Sequence, residues 1–154
     1  MRTYSQSDYD QINVRARHIE KVISPNVYAV GTLMQGQYTG MMMPGDRYTY
    51  EPVARQFIER LSRRIYGKTS YDRHGKLLPA AVTIEGKRKP TRYHLNFLIQ
   101  RPEWKDMPEF QFLAIEEWNK LDWTRADFYV GARTGDCVRY SLKEGPDSLL
   151  FITR

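Results

Sequence analysis

Two apolar runs bracket a basic turn in the middle of the chain. Residues 78–86 (LPAAVTIEG) and 92–100 (RYHLNFLIQ) are joined through KRKPT. β-branched and aromatic residues dominate both runs, and Gly86 with Pro90 breaks them. The pattern predicts an antiparallel hairpin with Glu85 opposite His94. Residues directly opposite share a face, and faces alternate with every residue. Ile84, Val82 and Ala80 then oppose Leu95, Phe97 and Ile99 on one apolar face. The other face carries Glu85 opposite His94 and Thr83 opposite Asn96. A slip of one residue would mix the two sets.

The rest of the chain follows two periods. Residues 1–25 are polar, with Ile12, Ala16, Ile19 and Val22 or Ile23 at helical spacing; this is a docked N-terminal helix over about 9–22, or an arm that orders on DNA. Residues 26–37 (NVYAVGTLMQGQ) read as a strand, and 38–48 as a loop with Met41, Met42 and Met43 packed beneath it. Residues 51–66 are the best helix, with Pro52 in its first turn and Val53, Phe57, Ile58, Leu61 and Ile65 as its apolar stripe. Arg60, Arg63 and Arg64 lie off that stripe. A basic loop, KTSYDRHGK, leads to the hairpin. After it, Asp106 caps a second amphipathic helix through Phe110, Leu113, Ala114, Trp118 and Leu121, with Pro108 in the first turn. Residues 125–132 are a strand. CVRYSLKEG is a short helix capped by Asp136 and stopped by Gly145-Pro146, and 148–153 (SLLFIT) is a last strand. The order predicts an α+β fold: a mostly antiparallel five-stranded sheet with helices packed on one face. The expected organisation is a single domain over 1–154.

Composition narrows the partner. The single cysteine, Cys137, excludes an internal disulfide framework and a cysteine-rich zinc module. No stretch approaches the roughly 20 apolar residues of a membrane span, and no early apolar run looks like a signal peptide. A soluble, cytoplasmic protein is expected. The net charge of +6 comes with 11 tyrosines and 3 tryptophans. Basic charge attracts phosphate and aromatic rings stack unpaired bases, so a nucleic acid is the expected partner.

Two constellations carry candidate chemistry. Glu85, His94 and Asn96 offer a carboxylate, an imidazole and an amide oxygen on one face, a donor set suited to Mg²⁺ or Mn²⁺. In the short helix, Tyr140 and Lys143 are one turn apart and share a face. A tyrosine hydroxyl, with a pKa of about 10, attacks phosphate only when a metal polarises the target and a cation stabilises the charge. Val138 and Leu142 face the core and leave Tyr140 to project outward.

In this order (VTIEG, then His94-Leu95-Asn96 with FLIQRP, then VRYSLKEG), the chain resembles the rolling-circle replication initiators of the HUH endonuclease superfamily. It is most similar to the small Rep proteins of bacterial plasmids and filamentous phages. The resemblance spans residues 27–143, including the helix and basic loop RQFIERLSRRIYGKTSYDRHGKLLP. It implies a two-layer sandwich like that of an RNA-recognition motif, with Glu85, His94 and Asn96 as metal ligands, Tyr140 as nucleophile and Lys143 as its assistant. Where the family has a second histidine stands Asn96, a shorter and weaker ligand. The implied activity is a metal-dependent, site-specific single-stranded DNA endonuclease and strand transferase that initiates replication through a 5′-phosphotyrosine link. Its partners would be single-stranded or hairpin DNA at an origin and a host helicase. Arg63, Arg64, Lys87, Arg88 and Lys89 would track the DNA backbone. Two alternatives stay open: a transposase or relaxase with the same chemistry, and a non-catalytic module that binds single strands.

Overall fold

The computed structural model of the protein describes residues 4–34, 36–38, 42–44, 47–86 and 93–154. Five strands form one antiparallel sheet: β1 (Val27–Leu33), β4 (Ala80–Glu85), β5 (His94–Ile99), β6 (Thr124–Ala132) and β7 (Leu149–Thr153), in the spatial order β6-β1-β5-β4-β7. The central hairpin has the expected register, with Glu85 opposite His94, Thr83 opposite Asn96 and Ala80 opposite Ile99. A separate ribbon, β2 (Gly36–Tyr38) with β3 (Met42–Pro44), stands where a loop is expected. The expected packing of the methionine run lies outside the described side chains.

The apolar face of the hairpin is covered by α2 (Arg47–Tyr66) and α4 (Met107–Asn119). Val82, Ile84, Leu95, Phe97 and Ile99 meet Phe57, Leu61, Phe110 and Trp118 there. Phe57 lies 4.7 Å from Phe97 between ring centroids, and Trp118 stacks on Phe128 at 4.9 Å. The Trp118 ring lies so close to β1 that a Cβ at Gly31 would come within 2.3 Å of it. Its indole N–H donates to the Arg125 carbonyl at 2.7 Å, so the buried ring keeps no unmet donor. Asp106 caps α4 as expected, accepting from the Glu109 N–H at 2.8 Å.

On the opposite face lie α1 (Gln6–Ile23) and α5 (Cys137–Ser141). Ile12, Ala16, Ile19 and Ile23 of α1 pack with Val138 and Leu142 against Ala81 and Leu98, a second and smaller apolar cluster. The N-terminal segment is thus a docked helix. Ser5 caps it in a reciprocal pair with Asp8. Near its other end, Arg133 donates to Glu20 with one N–O distance of 2.9 Å.

Three local expectations are corrected. Pro52 lies inside α2, because the helix begins at Arg47; it withholds the N–H that would bond four residues back. The basic stretch after Gly67 is a short helix, α3 (Lys68–His74), closed by Gly75 at φ 60°, a left-handed end that suits glycine. Asp136 does not cap α5 with its side chain but pairs with Arg139 at 3.6 Å. No helix among the described residues is long and apolar enough to cross a membrane.

Candidate functional site: a hydrogen-bonded chain from the sheet to an exposed tyrosine

Alternation along β4 and β5 carries Thr83, Glu85, His94 and Asn96 to the face shared with α5. Asn96 is buried and fully engaged. The Tyr28 hydroxyl donates to its Oδ1 at 3.0 Å. Its Nδ2 donates to Thr83 Oγ1 at 3.2 Å and to Glu85 Oε1 at 3.3 Å. The second Glu85 oxygen, Oε2, lies 2.9 Å from Lys143 Nζ. Lys143 Nζ also donates to the Tyr140 hydroxyl oxygen at 2.8 Å and sits 4.0 Å from that ring's centroid. One polar chain thus runs Tyr28, Asn96, Glu85, Lys143, Tyr140.

Packing decides where the last two members point. Val138 and Leu142 are fully buried, which turns Tyr140 outward to 55% exposure. The helix ends at Ser141, so Lys143 sits in the turn beyond it. That turn is tied to the end of β4: the Glu144 carboxylate accepts the Gly86 N–H at 2.9 and 3.0 Å. The clamp brings Lys143 over Glu85. Tyr28 went unseen in the sequence because nothing in its local pattern says that β1 lies beside β5. Only the strand order puts it opposite Leu98 and within reach of Asn96.

The charges follow from these contacts. Burial, then the nearby Glu85 and Tyr140, push the Tyr28 hydroxyl up to about 12, so it stays a neutral donor. Burial works against the Lys143 charge, but hydrogen bonds to Tyr140 and Glu85 outweigh it and hold the pKa above the ordinary lysine value. Lys143 is therefore an ammonium, placed to stabilise negative charge on the Tyr140 oxygen rather than to take its proton.

The donor set can be weighed against a divalent cation. The His94 imidazole, opposite Glu85, makes no hydrogen bond or ion pair with the described residues. Glu85 and His94 thus face each other as two donors that could hold a cation. Asn96 turns its NH₂ toward Glu85 and its oxygen toward Tyr28; rotating the amide by half a turn exchanges the two and leaves Tyr28 a donor to accept from. With that rotation, and with Lys143 displaced from Glu85, the residues suit Mg²⁺ or Mn²⁺. No trio of His, Cys, Asp or Glu among the described residues is arranged for a metal, so the amide is needed as third ligand.

Two of the five basic residues expected on DNA lie away from Tyr140. Arg63 and Arg64 belong to α2, in the helical layer across the sheet from Tyr140. Arg64 pairs with Glu116 and Glu117, each at 2.9 Å, and Arg63 with Asp72 at 3.7 Å. Lys87, Arg88 and Lys89 lie outside the described residues. Beside the site itself, among the described residues, lie the cations Lys143 and Arg139. They border an open cleft of about 730 Å³ between α1 and α5, lined among others by Tyr4, Tyr9, Tyr28 and Tyr140. The Tyr4 hydroxyl donates to the Lys143 carbonyl and joins the N-terminal segment to the site.

An exposed phenol touching an ammonium, with a carboxylate alongside and an imidazole that has no partner among the described residues, can attack an electrophile and stabilise the charge that develops. Compared with family models, curated proteins and solved structures, the chain matches none of them.

Proposed function

We propose that the protein is a metal-dependent, single-stranded DNA endonuclease and strand transferase that initiates rolling-circle replication. The observation that supports this reading is the contact of Lys143 with both Tyr140 and Glu85, which joins the nucleophile to the metal-ligand face. Mg²⁺ or Mn²⁺, held by Glu85, His94 and Asn96, would supply Lewis acidity at the scissile phosphate. The Tyr140 oxygen attacks phosphorus as its proton passes to solvent. The bond from phosphorus to the 3′-oxygen breaks, and that oxygen takes a proton from water. A 5′-phosphotyrosine and a free 3′-hydroxyl result, so rejoining needs no nucleotide cofactor. Lys143 stabilises the phenolate, and Tyr28 fixes Asn96 without titrating near neutral pH.

The test is a denaturing gel of the protein incubated with labelled single-stranded oligonucleotides and Mn²⁺. A covalent adduct is expected in the wild type and none with Tyr140→Phe. An adduct that persists in the variant would assign the attack to another tyrosine. One observation favours a second reading, a binding-only module on single strands: the Asn96 oxygen is turned to Tyr28. That reading expects binding without an adduct in any metal.

A further inference from the structure

The cleft between α1 and α5 has no part in the chemistry above, yet Tyr140 and Lys143 form one of its walls. We propose that it receives the unpaired nucleobase next to the phosphate that Tyr140 attacks, an inference that rests on the strand-cleaving reading. Its volume of about 730 Å³ falls within the range of small-molecule sites, roughly 300–1,000 Å³, and admits a base with its sugar. Its walls are tyrosine rings. Tyr9, on the first turns of α1, is 50% exposed. Tyr4 stands edge-on to it at 5.7 Å and 63°. Ile12 and the half-buried Tyr28 lie deeper.

Flat aromatic walls suit a base because every base has a π-face, whatever its identity. The rim carries the matching charge. Lys143 and Arg139 border the opening, and Asp136 lines it beside them; Arg139 pairs with Asp136 only loosely, at 3.6 Å with both side chains more than half exposed. A nucleotide presents an apolar disc and an anionic tail in that same order. Because Tyr140 belongs both to the cleft wall and to the Lys143–Glu85 contact, a base seated there holds its phosphate beside the phenol oxygen.

The experiment pairs an oligonucleotide change with a protein change. A single-stranded oligonucleotide is selected from a random pool for binding to the wild-type protein. An abasic residue is then stepped along it. Anisotropy is measured without metal for the wild type, Tyr9→Ala and Tyr9→Phe. Tyr9 sits on an exposed helical position, so alanine keeps the fold, which a thermal melt checks. One abasic position should weaken wild-type binding by about tenfold. Tyr9→Ala should lose a similar factor on the intact strand and show no further loss at that position, and Tyr9→Phe should behave as wild type. Equal binding by Tyr9→Ala, or an abasic penalty undiminished in it, overturns the cleft assignment while an adduct with Mn²⁺ leaves the cleavage reading standing. Coupling at that position with no adduct overturns the cleavage reading and leaves a binding cleft. A pool without a binder overturns both.

Discussion

A buried carboxylate, Glu117, and a half-buried one, Glu85, sit on opposite sides of the same sheet, each paired with cationic side chains. Glu117 is 4% exposed and lies between α2 and α4, where Arg60 donates at 3.0 Å and Arg64 at 2.9 Å. Glu85 is 15% exposed and meets one ammonium, one amide NH₂ and, across the hairpin, a histidine with no partner of its own among the described residues. Glu117 is saturated by two guanidinium groups on well-packed helices. Lys120 adds a third, more distant cation at 3.5 Å. Glu85 is held by a flexible lysine and faces an unused imidazole beside an open cleft. A buried charge with every bond spent fixes structure; one held by an exchangeable cation can be recruited to chemistry.

The sharpest break of this comparison is activity. Glu85→Gln should lower adduct yield by about a hundredfold or more, because on the proposed reading Glu85 supplies the carboxylate that holds the metal. Glu117→Gln should leave the yield per folded molecule unchanged. A large loss in the second variant, with the protein still folded, would show that the two carboxylates do not divide as described. Stability should rank them the other way. Glu117→Gln replaces charge-assisted bonds to two arginines and should cost about 2 kcal/mol in urea unfolding, while Glu85→Gln should shift it by less than about 1 kcal/mol, since its ammonium partner is partly solvated.

Lys143→Met sharpens the exchangeable-cation side. If Glu85 holds the proposed divalent ion, the ammonium competes with it, so the variant should bind Mn²⁺ about tenfold more tightly in a titration without DNA. Unchanged affinity would mean that Lys143 and the metal do not share Glu85. No Mn²⁺ bound by either protein would count against the metal itself.

The smallest effect concerns acid. Burial alone would raise the Glu117 pKa, but hydrogen bonds from Arg60 and Arg64 outweigh it and hold it below the ordinary carboxylate value. A carboxylate depressed in the folded state adds stability that is present above its unfolded pKa and is lost as pH falls through the folded one. Urea midpoints should therefore fall below about pH 4.5 in the wild type, and this part of the fall should be missing in Glu117→Gln. An identical acid limb in both proteins would remove Glu117 as its source.

Much of the molecule was legible because its pattern is local. In β4 and β5, Val82, Ile84, Leu95 and Phe97 alternate with Thr83, Glu85, His94 and Asn96, and a strand has only two faces. That alone sets the hairpin register and puts the three candidate ligands together. Val138 in α5 and Leu142 just past its end, at helical spacing, turn inward and expel Tyr140; Lys143 lies in the turn beyond the helix, where the expected shared helical face does not extend. Asp106 before Pro108 marks the start of α4 by its own hydrogen bonding. Arg63 and Arg64 show where such reading stops: their charge is visible in the chain, but the carboxylates that claim Arg64 lie more than fifty residues away.

Tertiary structure decided the rest. Tyr28 reaches Asn96 only because β1 pairs with β5. Glu144 holds Lys143 over Glu85 only because the turn after α5 meets Gly86. The tyrosine-lined cleft exists only because α1 settles on Ala81 and Leu98 next to α5. Backbone geometry dictates which residues of one element share a face, and that is written residue by residue. Which elements become neighbours depends on the apolar area that the whole chain buries at once, and no single stretch of sequence contains that sum.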